Sequence, residues 1–239
     1  MPINQQELVS ELSSSRLQPY RRLGGVPNTL AAIESMYLLN EVSQHLYVPL
    51  QLVEVALRNR ISAVIKKWSN RDDWYLHIPC TAKSQSAVQE AIRLASIEVR
   101  GRAPSHDDVL CRLMFGFWAY MLGKPYRNSQ QTGLYIWDQF RIRDAFPGMP
   151  RNLTIGALHS RLIEMNDLRN RLFHHEPIWK SQRVASIEDA MHVISGKHEQ
   201  LCEVLKWLSP EQAGLLSGWG FHGRFNKAID VTRLGRKLW

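Results

Sequence analysis

The chain has 239 residues, enough for one large domain or two small ones with a sizeable core. Its 44% apolar and 22% charged residues exclude a disordered chain, and three scattered cysteines, Cys80, Cys111 and Cys202, exclude a disulfide framework or a cysteine-rich zinc site. Thirty basic residues against twenty-two acidic ones leave a formal net charge of +8, with arginine outnumbering lysine 21 to 9.

The arginine excess tilts towards a phosphate-bearing partner, because the planar guanidinium matches phosphate and stacks on bases. Plain solubility explains the same charge, and composition does not choose between the two. The apolar run from Leu113 to Leu122 is far short of the roughly 20 residues a membrane span needs, so it reads as a buried helix. The opening MPINQQELVSELSSSR has no basic stretch followed by an apolar one, so no secretory signal is expected. A cytoplasmic chain with no membrane association follows.

In chain order, Pro19, Gly24, Gly25 and Pro27 mark a turn-rich opening, after which Thr29 to about Gln44 reads as a helix. Pro49 stands where a first helical turn tolerates proline. From there Leu50, Val53, Leu57, Ile61, Val64 and Trp68 recur every three or four residues, the pattern of an amphipathic helix, closed by Asn70, Arg71 and Asp72. Thr81 to about Arg100 predicts a third helix ending at Gly101. Ser105 with Asp108 predicts a capping box opening a fourth, which runs through the apolar stretch to Leu122. Residues 123–150 read as a long, mostly irregular insertion around a short helical piece near Ile136–Phe146. Thr154 caps a long helix to about His175, where Pro177 forbids continuation. Ser186 with Asp189 caps another, ending before Pro210, and the tail from Gly218 is Gly-broken and basic.

No useful stretch alternates with period two. The expected fold is all-α, an antiparallel helical bundle with additional helices. Its expected parts are an N-terminal helical segment at 1–48 packed on the core, a helical domain at 49–208, and a basic C-terminal tail at 209–239.

The helix from Thr154 carries the chemistry. Its apolar stripe runs Ile155, Leu158, Leu162, Met165, then Arg169, then Leu172, so an arginine occupies a position the pattern assigns to the core. There it requires a partner, a phosphate or a wet pocket, since burying it alone costs several kcal/mol. Beside it Asn166, Asn170 and His174 form a polar row at i, i+4, i+8. On an ideal helix Arg169 and His174 stand about 140° apart, flanking a site or meeting a counterpart pair from a second chain. Arginine to neutralise a phosphate, asparagine to orient it and histidine to exchange a proton suit phosphodiester chemistry, with the RNA 2′-hydroxyl as nucleophile. The structural alternative is that Arg169 pairs with a buried carboxylate while His174, His175 and Glu176 merely end a helix. No carboxylate cluster accompanies the set, adjacent His174 and His175 cannot easily share an ion, and the other histidines show no recurrent ligand spacing. No metal and no cofactor are therefore expected.

The segment Leu168-Arg169-Asn170-Arg171-Leu172-Phe173-His174-His175-Glu176-Pro177-Ile178 resembles the signature of Abi-like (abortive infection) proteins of the HEPN superfamily, whose core R-N-x-x-x-H is met by Arg169, Asn170 and His174. Leu52-Val53-Glu54-Val55-Ala56-Leu57-Arg58-Asn59 is similar to that family's upstream helix, Asp73-Trp74-Tyr75 to its continuation, and Phe115-Gly116-Phe117-Trp118 to the helix before the catalytic segment. The resemblance spans roughly residues 12–208. It implies a HEPN-type bundle, a homodimer with two motifs facing across a cleft, and a metal-independent endoribonuclease leaving 2′,3′-cyclic phosphate ends, in phage defence or a toxin-like role. Arg169 and His174 would be catalytic and Asn170 would position the site, with an antitoxin protein or a non-coding RNA as a further partner. Arg171 and His175, directly alongside, leave the register of the motif open.

Glu54 and Arg58, four apart, either form a surface pair worth about 0.3–0.5 kcal/mol or leave Glu54 to turn inward and hold Arg169, with Asn59 in support. Arg171 and the tail residues Arg224, Lys227 and Arg233 could grip an RNA backbone or form a solvated surface. Aromatics such as Trp118 within an apolar run read as core, not as base-stacking platforms. The alternative from another class is a non-catalytic RNA-binding or scaffold module, acting with a small non-coding RNA.

Overall fold

The computed structural model describes residues 4–78, 80–127 and 136–235, with side chains described for all of these except Gln5 and 231–235. Among the described residues every regular element is helical; the one β-type contact is an isolated parallel bridge between Gly24 and Ser186. The fold is all-α. No helix among these residues is long and apolar enough to cross a membrane.

The chain divides into two compact units, one built from Met1–Leu50, Leu168–Glu203 and Ala213–Trp239, the other from Gln51–Asp167 and Val204–Gln212. In the first unit, α1 (Gln5–Leu12) and α2 (Ser14–Arg21) precede α3 (Thr29–Ser43). The opening is thus helical and not merely turn-rich. Ser13 supplies the side-chain cap of α2, which carries Pro19 in its interior; Gly24 and Gly25 form the actual turn. Leu17 and Tyr20 of α2 are buried, and α2 packs against α3. Burial of those two side chains outweighs the backbone hydrogen bond that the proline forfeits.

α4 (Tyr47–Ser69) begins in the first unit and continues in the second. Leu50, Val53, Leu57, Ile61 and Val64 are buried as their spacing predicts, whereas Trp68 at the end of the stripe is 44% exposed, with the Arg141 guanidinium 5.3 Å from its ring. Asn70 takes a left-handed φ of 54° and ends the helix. Then come α5 (Trp74–His77) and α6 (Ala82–Glu98), capped by the Thr81 hydroxyl. Gly101 follows at φ 86°, a conformation glycine adopts without strain.

The capping box of Ser105 and Asp108 is present, but the helix it opens is short. α7 (His106–Leu110) stops, residues 111–114 turn, and α8 (Phe115–Tyr120) starts afresh. On one straight helix Leu113, Phe115, Phe117 and Trp118 would point around most of the circumference, with no single apolar face. Breaking the helix lets all four be buried, and the Trp118 indole N–H donates to the carbonyl of Leu113 at 3.1 Å, satisfying a group that the break would orphan. Trp118 is core, as its setting in the sequence predicts.

Of the stretch 123–150, residues 128–135 lie outside the described residues. The rest holds α9 (Lys124–Arg127) and α10 (Arg141–Ala145), the second within the helical piece expected near Ile136–Phe146. Ile136, Trp137, Ile142, Phe146 and Met149 are buried, and the Trp137 indole donates to Met121 O at 2.7 Å. The Gly148 N–H donates to Trp207 O at 3.0 Å, and any side chain at 148 would collide with the backbone carbonyl of Lys206.

α11 (Ile155–Phe173) and α12 (Ile187–Leu208) both start on the predicted caps, Thr154 accepting from the Ala157 N–H at 3.1 Å and Ser186 from the Asp189 N–H at 3.1 Å. The tail differs from its expected form. Pro210 ends α12 and is also the first residue of α13 (Pro210–Gly218), with Ser209 as cap. α14 (Phe221–Gly235) follows, packed on α3 through buried Phe225 and Ile229.

Candidate functional site

The end of α11 sets the geometry. The His174 N–H donates to Asn170 O at 2.9 Å, the His175 N–H to Leu172 O at 3.2 Å and the Glu176 N–H to Arg171 O at 2.9 Å. The last two bonds form a Schellman closure with His175 at its left-handed position, φ 55°, where glycine is usual. A β-carbon there is strained, so the histidine is held in place by the helix ending around it. Pro177 then turns the chain into a return segment in which Ile178 and Trp179 are buried. The Arg171 guanidinium donates to Lys180 O at 3.1 Å, fastening this segment to the helix.

The return segment ends against the start of the chain. The Gly24 N–H donates to Ala185 O at 2.6 Å. The Asp189 carboxylate accepts from the N–H groups of Ala185 and Ser186, both at 3.0 Å, which holds its pKa below the ordinary carboxylate value. Tyr20 of α2 and Trp179 meet edge to face with ring centroids 5.3 Å apart. Burial pushes the Tyr20 phenol up to about 12.

Between α2 and the segment 171–184 lies a cleft of about 710 Å³. Arg16 and Arg22 line one side, Arg171, His174, His175 and Lys180 the other, with Glu176 the only acidic residue in its walls. Four permanent cations against one carboxylate give the cleft a field that attracts anions, and two exposed imidazoles are presented to it.

The motif is divided by this geometry. His174, Arg171 and His175 line the cleft; Arg169 and Asn170 are not among its lining residues. Arg169 is half-buried where the stripe assigns a core position, and its guanidinium sits 4.6 Å from the ring centroid of Phe173. Phe173 in turn lies tilted at 49° against Tyr47, 5.7 Å away. Asn170 is exposed.

Glu54, Arg58 and Asn59 lie on the part of α4 that belongs to the second unit. Glu54 and Arg58 are half-buried and Asn59 exposed. The Arg58 guanidinium donates to Asn59 Oδ1 at 3.2 Å and to Cys111 Sγ at 3.4 Å. Arg224 and Lys227 are exposed on α14, and the Arg224 guanidinium lies 4.2 Å from the Phe221 ring. Arg233 is on the same helix, where side chains are not described.

Two sets of residues are not announced by the sequence motifs. Arg16, Arg22 and Lys180 join the cleft through contacts distant in sequence, and no local pattern marks them. His198, Cys202 and His222 gather within one turn of α12 and the start of α14, their ligand atoms all within 4.8 Å of one another. A signal for this set did exist: His198 and Cys202 stand at i, i+4, the spacing that stacks two side chains on one helix face. No protein family, no curated protein and no solved structure matches the chain.

Proposed function

We propose that the chain is a metal-independent endoribonuclease of the Abi-like HEPN type, acting in phage defence or a toxin-like role. The observation that carries this reading is His174 facing a cleft whose fixed charges are Arg16, Arg22, Arg171 and Lys180 against Glu176 alone. An RNA backbone supplies both the phosphate such a cleft attracts and the 2′-hydroxyl that makes cleavage feasible without a metal. His174 takes the 2′-hydroxyl proton or returns one to the leaving 5′-oxygen; the 2′-oxygen attacks phosphorus, the 5′-oxygen leaves, and a 2′,3′-cyclic phosphate remains. The resemblance assigns Arg169 to the charge that develops on the phosphate and Asn170 to its positioning, roles that require both to reach the phosphate from outside the cleft walls. The all-helical fold agrees with a HEPN-type bundle. A homodimer would set a second motif opposite the first, and an antitoxin protein or non-coding RNA would restrain it in the cytoplasm.

Mixed RNA incubated with wild-type, Arg169→Ala and His174→Ala protein, with and without EDTA, tests the reading. Cyclic-phosphate ends from wild type alone, in EDTA as well, are expected. If His174→Ala cleaves as wild type does, the assignment of that residue is wrong.

The absence of Arg169 and Asn170 from the cleft walls favours a second reading, an RNA-binding module that does not cut. Such a module would retain RNA after His174→Ala, with steep salt dependence and no product.

A further inference from the structure

We propose that His198, Cys202 and His222 form a zinc(II) site, with water in the fourth coordination position. Cys202 Sγ lies 3.9 Å from His198 Nε2 and 3.8 Å from His222 Nδ1. Two ligand atoms bound tetrahedrally to zinc at roughly 2.0 Å for nitrogen and 2.3 Å for sulfur stand about 3.5 Å apart. The two sulfur–nitrogen distances therefore need to shorten by only a few tenths of an ångström, and all three ligand atoms already lie within 4.8 Å of one another. The same sulfur–nitrogen distances are at the far limit of a hydrogen bond to sulfur, so the three groups hold one another only weakly.

His198 is the strongest indication. It is 5% exposed, its ring stacks on buried Phe225 at 3.9 Å and an interplanar angle of 5°, and it stands perpendicular to the His222 ring. Phe225 thus fixes the imidazole plane so that Nε2 is directed at the sulfur. A buried imidazole on an apolar wall whose contact to sulfur is long regains less than a short hydrogen bond or a metal ion would return. A metal ion is the ligand that uses a neutral imidazole and a sulfur together.

Zinc coordinates a thiolate, so binding would release the Cys202 thiol proton to solvent, one per zinc, and the thiolate and the Glu199 carboxylate together would offset the ion's two charges. Thiolate and imidazole ligands select zinc over magnesium or calcium. With three protein ligands from α12 and α14, the ion would pin the two helices together within the first unit. The proposal is independent of RNA cleavage and is read on metal binding alone.

The test uses the full chain, stripped of metal and titrated with cobalt(II) and then zinc(II). One equivalent of cobalt should produce a thiolate charge-transfer band in the near ultraviolet and intense tetrahedral bands in the visible, and one equivalent of zinc should abolish both. Zinc should also raise the melting temperature and release one proton per ion. Cys202→Ser should lose the charge-transfer band, and half-exposed His222→Gln should bind zinc about tenfold more weakly or worse while keeping its helical circular dichroism. Failure of wild type to bind one zinc, or zinc binding by both variants as tight as wild type, would overturn the proposal.

Discussion

The guanidinium of Arg169 sits over the ring of Phe173, 4.6 Å from its centroid, one helical turn before His174 and His175. The arginine that the heptad-like stripe places among core residues is thus held by an aromatic face that itself leans on Tyr47. A partly exposed cation–π contact is worth about 0.5–1 kcal/mol, enough to bias where the guanidinium points. Phe173→Ala is expected to slow RNA cleavage several-fold without removing the arginine, and Arg169→Lys to be no better than Arg169→Ala, because an ammonium lacks the planar fork. Cleavage kinetics on one defined RNA check both; full activity in Phe173→Ala would show that the stack does not position the arginine.

The cleft makes a separate prediction about affinity. Replacing Arg16 and Arg22 together by alanine should weaken RNA binding and reduce the slope of log affinity against log salt by roughly 0.7–0.9 for each phosphate no longer neutralised. Glu176→Gln, which removes the only carboxylate of the walls, should shift affinity the other way. Binding titrations at several salt concentrations measure both, and an unchanged slope in the double variant would place the RNA elsewhere.

His175 makes a prediction in stability. At φ 55° an L-residue is strained and glycine is not, so His175→Gly should stabilise the first unit by about 0.5–1 kcal/mol. The exposed imidazole forfeits little packing. Because it lines the cleft, the same variant should bind RNA more weakly. Urea unfolding and RNA titration of one preparation read the two effects, and a less stable variant would mean that the imidazole carries more than its strain.

Tyr20 ties stability to alkaline pH. Its phenol titrates at about 12 in the fold against an ordinary 10, chiefly because burial disfavours the tyrosinate. Below pH 10 both folded and unfolded chains hold the proton and the contribution is complete. Between pH 10 and about 12 the unfolded chain loses the proton first, so stability falls as pH rises. Tyr20→Phe should show a flatter decline across that window while retaining the edge contact with Trp179, and parallel denaturant curves on either side of pH 10 would reveal an equal decline if another group were responsible.

Local signals are legible in the sequence and non-local ones are not. Thr81, Ser105, Thr154 and Ser186 all cap helices because a side-chain oxygen satisfies an N–H two or three residues ahead, a contact contained within one turn. The stripe from Leu50 to Val64 is likewise a local period. The break at 111–114 depends on bulky side chains finding different directions of burial, which no period describes. Pro210 reads as a stop and is equally a start, since a first helical position needs no N–H. Of the site, the span of α11 and its end near His174 and His175 are legible, whereas the cleft beside His174 requires α2, whose Pro19 hides it. His198 and Cys202 stand one turn apart in plain view, but His222 joins them only because α14 packs where it does.

The hydrogen bond from Gly24 to Ala185 has a consequence for biosynthesis. A ribosome making this chain releases α2 early and the segment 171–184 only after the whole of residues 51–167. Until then Arg16 and Arg22 are charges on a nascent helix, with no imidazole opposite them. The complete cleft comes into being only when residues 171–184 have emerged and can reach back to α2. Under the proposed activity, a nascent chain that has not yet presented residues 171–184 lacks the cleft and spares the messenger that encodes it.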